Sequence, residues 1–85
     1  MNPTLVMYDI EEDKARTKIA DACLDYGLDR AQFSAFVGRL SRNHQQELMM
    51  RIESILGDKK GRIQLISIGQ QEWRNRIVIG QADYE

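Results

Sequence analysis

Apolar positions in this chain recur with two periods, and the switch between them marks out the elements. Leu5-Val6-Met7-Tyr8-Asp9-Ile10 is apolar or aromatic at five of six positions. A run that short and that apolar predicts a strand buried on both faces, with Asp9 near its far end. Ala15, Ile19, Ala22, Cys23 and Tyr26 then fall on one helical stripe. The acids Glu11-Glu12-Asp13 before it suit a helix N-terminus, where the macrodipole favours negative charge, and Gly27 caps the far end. Leu28 to Leu40 is an extended region in which Ala31, Phe33, Ala35 and Val37 alternate with Arg30, Gln32, Ser34 and Phe36. Two short antiparallel strands or one bent strand both fit it, with Gly38 available for a bulge or bend.

Leu48, Met49, Ile52, Ile55 and Leu56 mark a second amphipathic helix, opened by Asn43 and Gln46 as a capping box and closed by Gly57. Asp58-Lys59-Lys60-Gly61 reads as a turn, Arg62 to Ile68 as a strand ended by Gly69, and Gln70 to Asn75 as a polar connection holding Trp73. Arg76-Ile77-Val78-Ile79-Gly80 reads as a last, very short strand. The order strand, helix, strand region, helix, strand predicts an α+β fold, a ferredoxin-like split βαβ sandwich with two helices on one face of a small sheet. The extra C-terminal strand, residues 76–80, has no obvious place in it. Such strands add to a sheet edge, their own or a partner's, and pairing with a partner protomer is expected here.

Size makes partnership plausible on physical grounds. The 85 residues are expected to form one domain, 1–85, with a thin core that oligomerisation supplements. Apolar residues at 42% and charged residues at 29% are ordinary for a folded chain. Twelve bases against thirteen acids give a net charge of −1 and no global pull on nucleic acid. The bases are nonetheless local, at Arg39 and Arg42, at Lys59-Lys60-Gly61-Arg62, and at Arg74 and Arg76, while acids gather at Glu11 to Asp13 and at Asp83 and Glu85. The single Cys23 excludes an internal disulfide and multi-cysteine metal sites, and its place on the helix stripe makes it a buried thiol. No signal peptide and no membrane span are expected, which points to the cytoplasm.

The available chemistry is narrow. There is no glycine-rich phosphate loop, and the lone His44 lies off its helix's apolar stripe, where it is expected to be solvated. Asp9, beside Tyr8 and ahead of Arg16, is what remains. One carboxylate binds a hard cation weakly, but two related by a dimer axis suit Mg²⁺ or Mn²⁺, with waters and substrate phosphates completing the shell. Arg16, Arg30, Arg39, Arg42 and the Lys59-Lys60 turn are expected to contact phosphates along one face.

Tyr8-Asp9-Ile10 after an apolar strand, Arg16 in the helix, Gly27-Leu28-Asp29-Arg30-Ala31-Gln32-Phe33-Ser34-Ala35-Phe36, and the tail Arg74 to Gly80 together resemble the CRISPR-associated Cas-two family. That family is the small dimeric partner of the Cas-one integrase in spacer acquisition. The resemblance covers nearly the whole chain and rests on the order and spacing of its motifs. It implies a ferredoxin-like homodimer, described in many members as a metal-dependent endonuclease on RNA or DNA. It makes Asp9 the metal ligand, with Asp9 and Arg16 as catalytic residues. Tyr8, Arg16, Arg30, Ser34 and Phe36 match positions near the cleft, and Lys18, Arg39 and Arg42 extend the expected nucleic-acid contacts. Ala35 stands where valine is usual. Lys18 stands where some relatives carry arginine, which makes it a weaker phosphate fork.

Two functions of different class follow. One is a Mg²⁺-dependent endonuclease acting at paired Asp9 carboxylates. The other is a non-catalytic dimeric adaptor that bridges integrase subunits and holds duplex DNA without needing the metal. A small dimeric regulator with the same fold is a third, blander reading.

Overall fold

The computed structural model describes residues 1–80; Asp83 and Glu85 lie outside them. Strand β1 (Pro3–Ile10) is followed by helix α1 (Asp13–Asp25), strands β2 (Asp29–Gln32) and β3 (Ala35–Arg39), helix α2 (Arg42–Leu56), strand β4 (Gly61–Ser67) and a short helix α3 (Gln70–Arg74). The sheet order is β2-β3-β1-β4 with every neighbour antiparallel. β1 and β2 are thus parallel but separated by β3, which is the split βαβ arrangement expected.

β1 is not buried on both faces. Val6, Tyr8 and Ile10 are buried with the helices, while Leu5 is half-buried and Met7 and Asp9 are exposed on the other side. Two helices cover only one side of a four-stranded sheet, so the period-2 alternation of side chains leaves the second side open. The core lies between that covered face and the helix stripes. It joins Val6, Tyr8, Ile10 and Phe36 to Ala15, Ile19, Ala22 and Cys23 of α1 and to Leu48 and Ile52 of α2. The fully buried Thr4 is satisfied, its Oγ1 accepting from Gln45 Nε2 at 3.1 Å.

The extended region 28–40 is a hairpin turning at Phe33-Ser34. Its register slips between Arg30 and Gln32, a bulge that resets the alternation. Phe36, which pairs with the buried Val6, is the buried member, whereas Ala35 and Val37 are only half-buried and Phe33 is exposed in the turn. α1 ends as foreseen at Gly27. Gly27 N–H bonds the Leu24 carbonyl and Leu28 N–H the Cys23 carbonyl, with Gly27 at φ 83° and Leu28 buried beneath. α2 opens two residues earlier than the Asn43 box implied: Ser41 is the cap, and its side chain accepts from His44 N–H. The polar connection at 70–75 contains a one-turn helix, and Arg76 to Gly80 is not a strand in the single chain. Arg76 N–H bonds the Trp73 carbonyl, and the tail beyond it leaves Ile77, Val78 and Ile79 exposed.

Gly38 is needed for close approach, not for a bend. A Cβ there would stand 2.7 Å from Leu28 Cδ2 and 3.3 Å from the Leu28 backbone. Gly38→Ala is therefore expected to cost about 1–3 kcal/mol through overpacking. At about 4–8 °C per kcal/mol in a domain this size, the loss is readily seen by thermal denaturation. An unchanged melting temperature would mean that β3 and Leu28 can separate freely.

Candidate functional site

Strand alternation sorts the expected site residues onto opposite sides of the sheet. On the covered side, near the C-terminal end of β1, the Tyr8 ring stacks on Phe36 with centroids 6.3 Å apart and planes at 16°. The Arg30 guanidinium lies 4.7 Å above the same Phe36 ring and donates to the Phe33 carbonyl at 2.5 Å. The β2 bulge, two residues before the turn, sets this pose. Arg16 reaches from α1 to donate to the Ile10 carbonyl at 3.0 Å and pairs with Asp13. Tyr8, Arg16, Arg30 and Phe33, with Thr17 and Asp21, line a pocket of about 170 Å³. Ser34 contributes through its backbone, its carbonyl accepting from Tyr8 N–H at 3.0 Å.

Asp9 is on the other side. It is exposed and sits directly opposite Arg62 in the β1–β4 register. Paired residues of an antiparallel ladder share a face, with Cβ atoms about 4.5–5.5 Å apart, so Arg62 is the nearest cross-strand cation to Asp9. Around them the open face carries Leu5, Met7, Val37 and Ile66, which the register aligns across β3, β1 and β4. Asp9 and Arg16 form no ion pair or hydrogen bond among the described residues; Arg16 is held at the strand end by Ile10 instead. No group of three or more His, Cys, Asp or Glu stands together among the described residues; the open face also carries Asp29, which pairs with Val37 at the edge of the sheet, two strands from Asp9.

The other bases do not share one face. Arg39 pairs in register with Pro3, whereas Gly61 pairs with Ile10. The eight residues of β1 put these ends about 23 Å apart. Arg39, which donates to the Met1 carbonyl at 2.8 Å, and Arg42 at the start of α2 thus belong to one end. Arg16, Arg30 and the Lys59-Lys60 turn belong to the other, because β strands keep distant residues apart that sequence charge clustering cannot separate. Lys18 is also away from Arg16, on the α1–α2 side with Lys14 of its own helix, Ile55 and Lys59. Arg62 beside Asp9 was not singled out as a site residue, since only strand register reveals the pairing. His44 is exposed, edge-on to Tyr26 at 6.1 Å.

A four-stranded split βαβ sandwich, with a carboxylate on its open face and two guanidiniums framing a pocket on the covered one, belongs to the class of small ferredoxin-like proteins. Within that class the chain is a member of the family described as CRISPR associated protein Cas2, whose profile matches residues 2–76. It is 46% identical over 77 residues to the Chloroflexus aurantiacus protein named CRISPR-associated endoribonuclease Cas2 2, covering 91% of each chain. Its fold matches the crystal structure of Streptococcus pyogenes Cas2 with a TM-score of 0.78 at 25% identity, over 92% of this chain and 99% of that one. It is also 48% identical over 48 residues to a Thermoproteus tenax protein named CRISPR-associated endonuclease Cas1/endonuclease Cas2 fusion, covering 56% of this chain and 18% of the fusion. No helix among the described residues is long and apolar enough to cross a membrane.

Burial governs the titrating groups here. It pushes the Tyr8 hydroxyl above its usual range, with Arg30 and Arg16 pulling the other way. It pushes the fully buried Cys23 thiol from 9.0 up to about 11. Below pH 9 the thiol is protonated in both folded and unfolded chains, and its contribution to stability is whole. As pH rises from about 9 through about 11 the unfolded chain ionises first, and about 2–3 kcal/mol is lost. Denaturant titrations across this window should therefore show a shallower alkaline loss for Cys23→Ala than for wild type, leaving the Tyr8 part. Identical slopes would contradict a buried neutral thiol.

Proposed function

We propose that this chain is a CRISPR-associated adaptation protein that hydrolyses phosphodiester bonds in RNA or DNA, as a homodimer, at paired Asp9 carboxylates. The observation that carries the reading is Asp9 itself: an exposed carboxylate at the end of a central strand, on an open apolar sheet face, beside Arg62. Family membership and the relative named an endoribonuclease support it. A second copy related by a two-fold axis across this face covers Met7 and Ile66, which are 39% and 41% exposed in the single chain, and brings two Asp9 residues to one cleft. Two carboxylates suit Mg²⁺ or Mn²⁺, which supplies water activation and neutralises charge on the phosphoryl oxygens when bound. Arg62 offsets the repulsion between the two acids. Arg16, fixed at the strand end, meets the flanking phosphate.

The tail completes the dimer in this reading. β4 is an edge strand, and between it and α2 runs an apolar groove of about 320 Å³ lined by Met49, Ile52, Leu56 and Ile63. Residues 76–80 of the partner, with Ile77 and Ile79 88% and 93% exposed, have the length and apolarity to add there as a strand. The adaptor reading keeps the same dimer and uses it to hold duplex DNA and bridge a Cas1 integrase. The Cas1/Cas2 fusion favours a Cas1 partner.

Asp9→Asn should leave stability within about 0.5 kcal/mol, keep the dimer, and lower Mg²⁺-dependent cleavage of labelled RNA or DNA by about 10²–10³-fold. Wild-type cleavage should weaken as acidity rises, since protons compete with the cation. Undiminished cleavage by Asp9→Asn would remove the paired-aspartate mechanism, while a wild type that never cuts yet supports reconstituted integration would establish the adaptor. A chain ending at Asn75 should sediment as a weaker dimer than the full chain. Equal association of the two would eliminate the tail exchange.

A further inference from the structure

Residues 68–75 carry the chain from the end of β4 to the tail, and they are held at more points than a surface connection needs. Ile68 N–H donates to the Pro3 carbonyl at 2.9 Å, which pins the start of the connection to the first residue of β1. The single turn of α3 follows, with Trp73 N–H on the Gly69 carbonyl at 2.9 Å and Asn75 N–H on the Gln71 carbonyl at 3.0 Å. One turn is far too short to hold itself in water. A side chain from beyond its end closes it. The Arg76 guanidinium lies 3.7 Å from the centre of the Trp73 ring, and its Nη1 donates to the Trp73 carbonyl at 2.9 Å, beside the Arg76 N–H at 3.2 Å. Trp73 and Arg76 thus set the direction in which the tail leaves. That direction does not return it to its own sheet. Ile77 and Ile79 are exposed, and neither lines the groove between β4 and α2.

We propose that the Trp73–Arg76 corner selects the tail's partner: it keeps residues 76–80 off their own β4 and delivers them to a second copy of this chain. This selection rests on the tail exchange proposed above and supplies the reason that exchange wins. A return along the chain's own β4 is open on topological grounds, because β4 is an edge strand and sequential strands commonly neighbour each other. Residues 76–80, extended, cover about 17 Å, most of the length of β4. If residues 68–75 were a flexible linker, the tail would meet its own groove at an effective concentration of about 1 mM. A second copy at about 1 µM is roughly 10³-fold more dilute, so self-closure would win and the chain would stay single. A rigid corner removes that advantage, since a linker that cannot span to a site contributes almost no effective concentration there. The exposed cation–π stack alone accounts for about 2- to 5-fold of the bias. The remainder lies in the turn that the stack completes and in its anchor at Ile68.

The test is amide hydrogen exchange of residues 76–80, read by mass spectrometry on the full chain from mostly dimeric to mostly monomeric concentrations, with sedimentation on the same samples. Wild-type tails should be protected in proportion to the dimer fraction and lose protection on dilution. A variant with residues 70–75 replaced by a Gly-Ser segment of equal length should keep its tail protected in the monomer. Its dimer dissociation constant should rise on the order of 10²-fold or more, because the tail now closes on its own chain. Arg76→Gln keeps the rest of the corner and removes the stack, so it should raise the constant about 2- to 5-fold and leave part of the monomer's tail protected. Amides of β1 report folding in both variants, and Arg76→Gln carries the test alone if the Gly-Ser chain does not fold. Variant tails that lose protection on dilution as wild type does, unchanged dissociation constants, or wild-type monomers whose tails are already protected would each overturn the corner's role and leave the exchange standing. Wild-type dimers with unprotected tails would remove the exchange itself, and the corner's role with it.

Discussion

The alternation of β1 is the constraint from which the rest of the molecule follows. Val6, Tyr8 and Ile10 must lie under the two helices, because their burial supplies the centre of a thin core. The pleat then forces Leu5, Met7 and Asp9 to the other side, where no element among the described residues covers them. A slip of one residue would bury Asp9 and expose Tyr8, so the hydrophobic pattern that makes the fold also fixes the carboxylate in the open.

Two chemistries are thereby kept apart. Cations and aromatics gather at the covered side, where Arg30 lies on Phe36 and Arg16 holds the Ile10 carbonyl. The Asp9 carboxylate sits on the uncovered side, opposite Arg62 in the β1–β4 ladder. In the proposed dimer a second copy brings another Asp9 to the open face and a sheet edge to the tail.

Much of this was legible in the sequence. The stripes of α1 and α2, the Gly27 end and the strand before Asp9 were readable because helical period, glycine caps and apolar runs are local signals. What was left open or missed is non-local or weakly signalled. The hairpin was one of two readings open for residues 28–40, because Phe33-Ser34 has no glycine or asparagine to announce a turn, and that turn takes Phe33 out of the alternation that made it look equivalent to Ala35. Ser41 caps α2 although Asn43 and Gln46 offered the more familiar spacing. α3 is one turn, too short to show a period. The Asp9–Arg62 pairing and the separation of Arg39 from Arg16 depend on strand register, which no single stretch encodes.

The claim that the active site is shared between two copies is tested most directly by dilution. Metal-dependent cleavage per mole of chain should be measured at concentrations spanning the dimer dissociation constant, with sedimentation on the same samples. Specific activity should fall in step with the dimer fraction, and excess Asp9→Asn chain should suppress it further by forming mixed dimers. Constant specific activity among monomers, unaffected by the added variant, would contradict the shared site.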